Sequence, residues 1–403
     1  MDQTNNITKS PLLELITILY LSIEAFVKPI IKYFEWHHDG LRINISVVYV
    51  ILLSVALIEI ILKLHSRKLF FPKDLSHSVS IFLIIFICVY QLLHFPYITS
   101  HSIYRIQDFF LFYFSESVIQ AALYLLSGFY IFSLIESKNI NYLFLFFWLI
   151  FSLVVLVFTN YNSTFFTSSI DTSDGLNNYL MMSDAYAMLS YFVIVFRRNL
   201  LYRLFIIVVS LLCLFFLKSR ASLYMFVVMN IIGFILINKR VLWLLLIAFF
   251  VSVFSFDWKE FLRINSNNRM FRLATFGHDV SADIRTNILF RSLNEIKSNF
   301  LWGQFMGDVL NEKNTGTYIH NLLSYLRQYG IFPFICLIII IVRNYLKLYY
   351  SIIKKHWDKP TEFMFIYGTH CLALSLFARS FLFSVIWMFF SAIPLLYYKN
   401  QSD

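Results

Sequence analysis

The chain has 403 residues, 59% of them hydrophobic and 14% charged, with a net charge of +10. That balance excludes an ordinary soluble domain and matches a protein whose solvent is mostly lipid. The positive charge is accounted for by the inside bias of membrane loops, so no nucleic-acid partner is expected.

Apolar runs of roughly 16 to 24 residues recur along the whole chain, each long enough to cross a hydrocarbon core as a helix. They predict an all-α polytopic membrane protein with about 12 transmembrane helices. The runs lie near 10–31, 43–62, 76–95, 112–135, 141–159, 179–196, 201–217, 220–237, 241–256, 321–342, 361–377 and 381–398. Glu14, Glu24 and Lys28 interrupt the first run, which either spans or lies in the interface. The opening "MDQTNNITKSPLLEL" has no basic n-region and no small-residue cleavage site, so no cleavable signal peptide is expected.

Basic residues set the orientation. Connections after the second, fourth, sixth, eighth and tenth runs carry about fifteen Lys and Arg, including "KLHSRK", "RRNLLYR" and "NKR", against about six in the alternate connections. The basic connections are therefore placed in the cytoplasm, together with both termini. The connection "NYNSTFFTSSIDTSDGLNN" has no Lys or Arg and falls outside, as the alternation requires. Asp171 and Asp174 within it read as an Asx-turn rather than as a metal-binding pair.

Three regions follow: helices 1–9 over residues 1–256, an outward loop or cap over 257–320, and helices 10–12 with a cytoplasmic C-terminus over 321–403. A structureless loop of about sixty residues is unusual, so the cap is expected to fold. In "SADIRTNILFRSLNEIKSNF", Ile284, Ile288, Leu289, Leu293, Ile296 and Phe300 recur near helical spacing. They predict a short surface helix against the membrane, with Ser281 as N-cap. The helix should stop at "SNFLWGQFMGD", where Gly303 and Gly307 supply turn positions and Trp302 an interfacial anchor.

Cys88, Cys213, Cys336 and Cys371 all fall within predicted spans, without the spacing of a metal site or a redox motif. Neither metal nor cofactor is expected. Glu116 and Asp184 also fall within spans, where acids are functional or paired, and with Glu59 they would serve a proton-coupled transporter.

The stretch "YIHNLLSYLRQYGIF" opens the tenth run. Asn321 can cap its helix, and helical spacing puts His320, Ser324 and Arg327 on one face. Arg220, in "LKSRASLYMF", and Arg379, in "FARSFLF", occupy short outward turns, against the inside bias. Singly, His320 reads as an interfacial ring satisfied by water, with Arg327 reaching outward, and Arg220 or Arg379 reads as readily as a cation reaching for lipid headgroups as a functional group. Together with Arg285 and Arg291 on the cap helix they could form a cationic site at the outer surface. Arg285 and Arg291 are six apart, so only one of the two faces that site. Arginines suit a diphosphate, and a neutral histidine can take a proton from a sugar hydroxyl. The combination suggests transfer of a glycosyl group away from a lipid diphosphate.

The order of "SRAS", a large outer loop with "LWGQFMG", and "HNLLSYLRQYGIF" resembles the O-antigen ligase and polymerase superfamily over roughly 219–342. The usual Ser-Arg-Gly of that family is Ser219, Arg220, Ala221 here. The resemblance implies a metal-independent, inverting transferase in the bacterial inner membrane. Its site would be periplasmic and its substrate an undecaprenyl-diphosphate-linked oligosaccharide. It further implies that Arg220 and Arg285 hold the diphosphate and that His320 is the base or orienting residue, with a chain-length regulator as an optional partner. Polymerase is favoured; a ligase acting on lipid A-core and a non-enzymatic polysaccharide flippase are the alternatives.

Overall fold

The structure, a computed structural model, describes residues 10–31, 45–65, 74–101, 103, 106–158, 175–197, 199–217, 219–237, 280–312, 319–354 and 357–402. Among these residues all regular structure is helical. The first helix, α1, starts at Pro11, passes through a π-helical turn at Ile23–Val27 and runs on to 31. It is followed by α2 (Ile45–His65), α3 (Leu75–Thr99), α4 (Ile106–Glu136), α5 (Lys138–Phe158), α6 (Gly175–Phe196), α7 (Leu200–Phe216) and α8 (Arg220–Ile237). Further on come α9 (Val280–Ser298), α10 (Gly307–Glu312), α11 (Leu323–Tyr329), α12 (Ile331–Ile353), α13 (Lys359–Phe377) and α14 (Ile386–Ser402). The ninth apolar run, 241–256, lies outside the described residues.

Five of these helices, α2, α3, α4, α5 and α12, are long and apolar enough to cross a membrane by length and composition. They differ in what surrounds them. Of the most apolar stretch of α4, 78% is buried inside the protein, against 22% for α2 and 33% for α12. The central helix α4 therefore packs on protein around most of its circumference, while α2 turns Ile58, Ile61 and Leu62 outward. Its main neighbour is α14. A Cβ on Gly128 of α4 would come within 2.1 Å of the Met388 carbonyl oxygen of α14, so glycine sets that approach.

Side-chain caps mark one end of the bundle. Ser10, Asp74, Asn199 and Asp358 accept backbone N–H groups at the starts of α1, α3, α7 and α13, as short polar residues do ahead of an apolar run. Ion pairs tie the same end together. Arg203 of α7 pairs with Glu362 of α13, Lys347 of α12 with Asp74, and Lys399 of α14 with Glu136 of α4. The opposite end holds the starts of α4, α8 and α12.

Three features depart from the periodicity. The fourth run begins as helix at Ile106 rather than near 112 and contains a π-helical turn at Ser115–Ile119. The tenth run is not one helix, because Gly330 (φ +80°) breaks it into α11 and α12. Helix α9 already includes Val280, so Ser281 lies within it and is not its cap. Its Ile288, Ser292 and Ile296 are buried, and Ile296 packs with Ile319 and Leu326. The apolar face of α9 is therefore turned towards the chain itself, with Phe290 and Phe300 exposed.

Candidate functional site

The end opposite the capped starts is assembled around a glycine contact. The segment following α9 turns at Gly303 (φ +72°), where a Cβ would lie 2.5 Å from the Gly330 nitrogen. A Cβ on Gly330 would in turn lie 2.2 Å from the Leu301 carbonyl oxygen. Both positions need glycine for conformation and for space. The Gln304 N–H donates to the Arg327 carbonyl (2.7 Å) and the Ile331 N–H to the Phe300 carbonyl (3.0 Å), joining the two strands of chain.

A buried polar network extends the junction. Gln328 accepts from the Met306 N–H (2.8 Å) and donates to Asp308 Oδ1 (3.1 Å), whose other oxygen accepts from Tyr113 of α4 (2.6 Å). Burial holds the Asp308 carboxyl above its ordinary range, opposed by the Tyr113 hydrogen bond and by the charge of Arg327. Beneath the network Tyr113, Phe305, Tyr329 and Phe381 pack ring on ring. The α9–α10 segment is thus locked onto α4 and α11.

Helix α11 is capped as its sequence suggests: Asn321 Oδ1 accepts the Leu323 N–H at 2.9 Å. Ser324 and Arg327 do share a face, but that face is buried. Ser324 Oγ accepts the Phe381 N–H (2.7 Å) from the turn before α14, and Arg327, 2% exposed, pairs with Glu295 of α9 at 2.5 Å.

A second ion pair fixes the neighbouring turn. Arg379 Nε donates to Asp184 Oδ2 (2.7 Å) and Nη2 to Oδ1 (2.8 Å), the two-pronged geometry of a strong guanidinium–carboxylate pair. The same Nη2 reaches Ser222 Oγ (3.0 Å) and Ser219 Oγ (3.4 Å), and Ser222 also donates to Asp184 (2.7 Å). Ser219 and Ser222 flank the first turn of α8, the turn that carries Arg220. Asp184 of α6, the start of α8 and the turn after α13 therefore meet at one point.

His320 lies in the same region. Burial pushes its imidazole down to about 4, and the guanidinium charges of Arg285 and then Arg379 add to that shift. The ring is neutral at physiological pH and lies within electrostatic reach of both arginines. Arg220 and Arg285 are half-buried, whereas Arg291 is exposed. Of the two cap arginines, Arg285 is therefore the more enclosed.

The site residues expected from sequence thus separate into two groups. Arg327 and Arg379 have carboxylate partners and are buried. His320, Arg220 and Arg285 are less enclosed. Sequence reasoning did not find Glu295, Asp308 or the two serines of "SRAS", whose partners lie far along the chain. The only local signal for the serines was their position, three apart, ahead of an apolar run. The chain matches no family model and no curated protein.

Proposed function

We propose that the chain is an O-antigen polymerase, transferring glycan repeat units from undecaprenyl diphosphate at the periplasmic face of the bacterial inner membrane. The observation that carries this reading is a neutral histidine under the influence of Arg285 and of Arg379, which is itself bonded to the helix start that bears Arg220. In this reading Arg220 and Arg285 hold the diphosphate leaving group with charge-assisted hydrogen bonds. Arg379 and Arg327, committed to Asp184 and Glu295, shape the site instead of gripping the substrate.

His320 takes the proton of the acceptor hydroxyl as that oxygen attacks the anomeric carbon and the bond to the diphosphate breaks. A ring held down to about 4 is a weak base, but a bound diphosphate brings negative charge against the two guanidiniums. The substrate thus raises the basicity of the group that acts on it. In this reading the chain has the twelve spans and cytoplasmic termini expected from its sequence, which would put these residues on the outer side.

Deletion followed by lipopolysaccharide electrophoresis tests the reading. A single repeat unit on the core is the expected outcome. Bare core with lipid-linked polymer accumulating indicates a ligase, and repeats trapped on the inner leaflet indicate a flippase. For sidedness, a cysteine at Ser100 or Asn299 should react with an impermeant thiol reagent from the periplasm, and one at Lys354 should not. The opposite labelling pattern overturns the outer placement of the site.

A further inference from the structure

A second polar cluster lies inside the bundle, and the transfer chemistry does not use it. Lys28 Nζ lies 3.2 and 3.4 Å from the two carboxyl oxygens of Glu24, one turn before it on α1, and 3.3 Å from Glu116 Oε1 on α4. The Tyr49 hydroxyl of α2 donates to Glu24 Oε1. Glu24 and Lys28 are each 7% exposed. Both carboxylates occur in π-helical turns, Ile23–Val27 and Ser115–Ile119, which rotate side chains off the regular helical stripe.

We propose that Glu24, Lys28 and Glu116 form a proton-binding site, in which two carboxyl groups share one ammonium and together take up and release a single proton. The charge count is the first argument. With all three groups ionised the cluster carries one uncompensated negative charge, and enclosing an uncompensated charge costs several kcal/mol. Among the described residues, the other ionisable side chains that bear on it are Tyr20, Tyr49 and Tyr124, which bring no positive charge. One proton on a carboxyl brings the cluster to neutrality.

Geometry assigns that proton to Glu116. Both oxygens of Glu24 are already engaged by Lys28 and Tyr49, whereas Glu116 shares the ammonium through Oε1 and keeps 20% of its side chain exposed. Gln120, one turn further along α4 and 3% exposed, bears on the same carboxyl. An amide suits both states: its N–H can donate to the ionised carboxyl, and its carbonyl can accept from the protonated one. The step forms one O–H bond on Glu116 with a proton drawn from water and breaks no bond in the protein.

The cluster also touches the outer site. The Glu116 carbonyl accepts a hydrogen bond from Ser384, in the turn that begins with Arg379 and docks on Ser324. The proposal does not rest on the glycan-transfer reading.

Infrared difference spectra of the full chain in nanodiscs, between about pH 5 and about pH 9, test it. The expected result is a protonated-carboxyl band at the acid side worth about one proton per chain. Glu116→Gln should remove it and Glu116→Asp should shift its frequency. Persistence of the band unchanged in Glu116→Gln overturns the assignment. Should that variant fail to fold, an unshifted band in Glu116→Asp does the same. A band that responds to sodium at fixed pH, and not to pH, replaces the proton with a metal cation and also overturns the proposal.

Discussion

The Asp184–Arg379 pair and the Glu24–Lys28–Glu116 cluster are both buried, both join distant helices and both lie near the turn that precedes α14, yet their charges add up differently. At Asp184 one carboxylate meets one guanidinium through two parallel hydrogen bonds. At Lys28 two carboxyl groups meet one ammonium. A matched pair has nothing left to exchange, so it fixes geometry, here the first turn of α8 and with it Arg220. An unmatched cluster is completed only by a further charge from outside. Counting charges around each group separates a structural device from a ligand site better than burial does.

Breaking the match should produce the largest effect. Asp184→Ala leaves the Arg379 guanidinium enclosed without its carboxylate and is expected to cost about 3–5 kcal/mol, read as a loss of thermal stability in detergent. Asp184→Asn combined with Arg379→Gln removes both charges and should recover most of that loss. Failure to recover would show that the pair does more than hold the turn.

Activity sharpens the contrast between positioning and chemistry. His320→Ala should lower glycan transfer by about 10²-fold or more while leaving insertion and melting unchanged, the scale on which a general base contributes. Transfer at the wild-type rate in a purified, metal-free assay removes His320 from the mechanism.

The region of His320 should also have its own pH dependence. The folded value for His320, about 4, lies below its ordinary 6.5, so protonation favours the unfolded chain. Stability is unaffected above about pH 6.5, falls as pH drops from there to about 4, and is flat below, as linkage requires. The loss should be about 2 kcal/mol, smaller than the full shift implies because the ring is not fully enclosed. His320→Gln should flatten that limb. A decline persisting unchanged in the variant assigns it to other groups.

The smallest difference expected is between two substitutions at one position. Arg220→Lys keeps the charge but loses the two-pronged contact, so its transfer rate should lie within about threefold of Arg220→Ala. Full activity in the lysine variant makes Arg220 a headgroup anchor.

The legibility of these features follows their range in the chain. The helices were legible because apolar runs are local, and so was the Asn321 cap, which acts two residues away. The break at Gly330 was hidden inside "YGIF", which reads as continuous helix until the close contact with Leu301 is known. Asp184 and Arg379 were each flagged by their placement, but nothing in either neighbourhood named the other, 195 positions away. Spacing puts Arg327 beside Ser324, while nothing near Glu295 in the cap helix names it as the partner of Arg327. Glu24 and Lys28 registered as flaws in a first span, because the π-helical turn that brings them to Glu116 has no simple sequence signature.

The packing of α4 on α14 has a consequence for how the protein is made. Ser391 donates to the Leu125 carbonyl across 266 positions of chain, and Gly128 lies against Met388. At ribosomal speed the partner of α4 emerges roughly tens of seconds after α4 itself. During that interval the most enclosed of the five long apolar helices is an orphan in the bilayer, its glycine notch and its Glu116 facing whatever is at hand. The newborn chain is thus most vulnerable to quality-control proteases late in synthesis, until its last helix arrives.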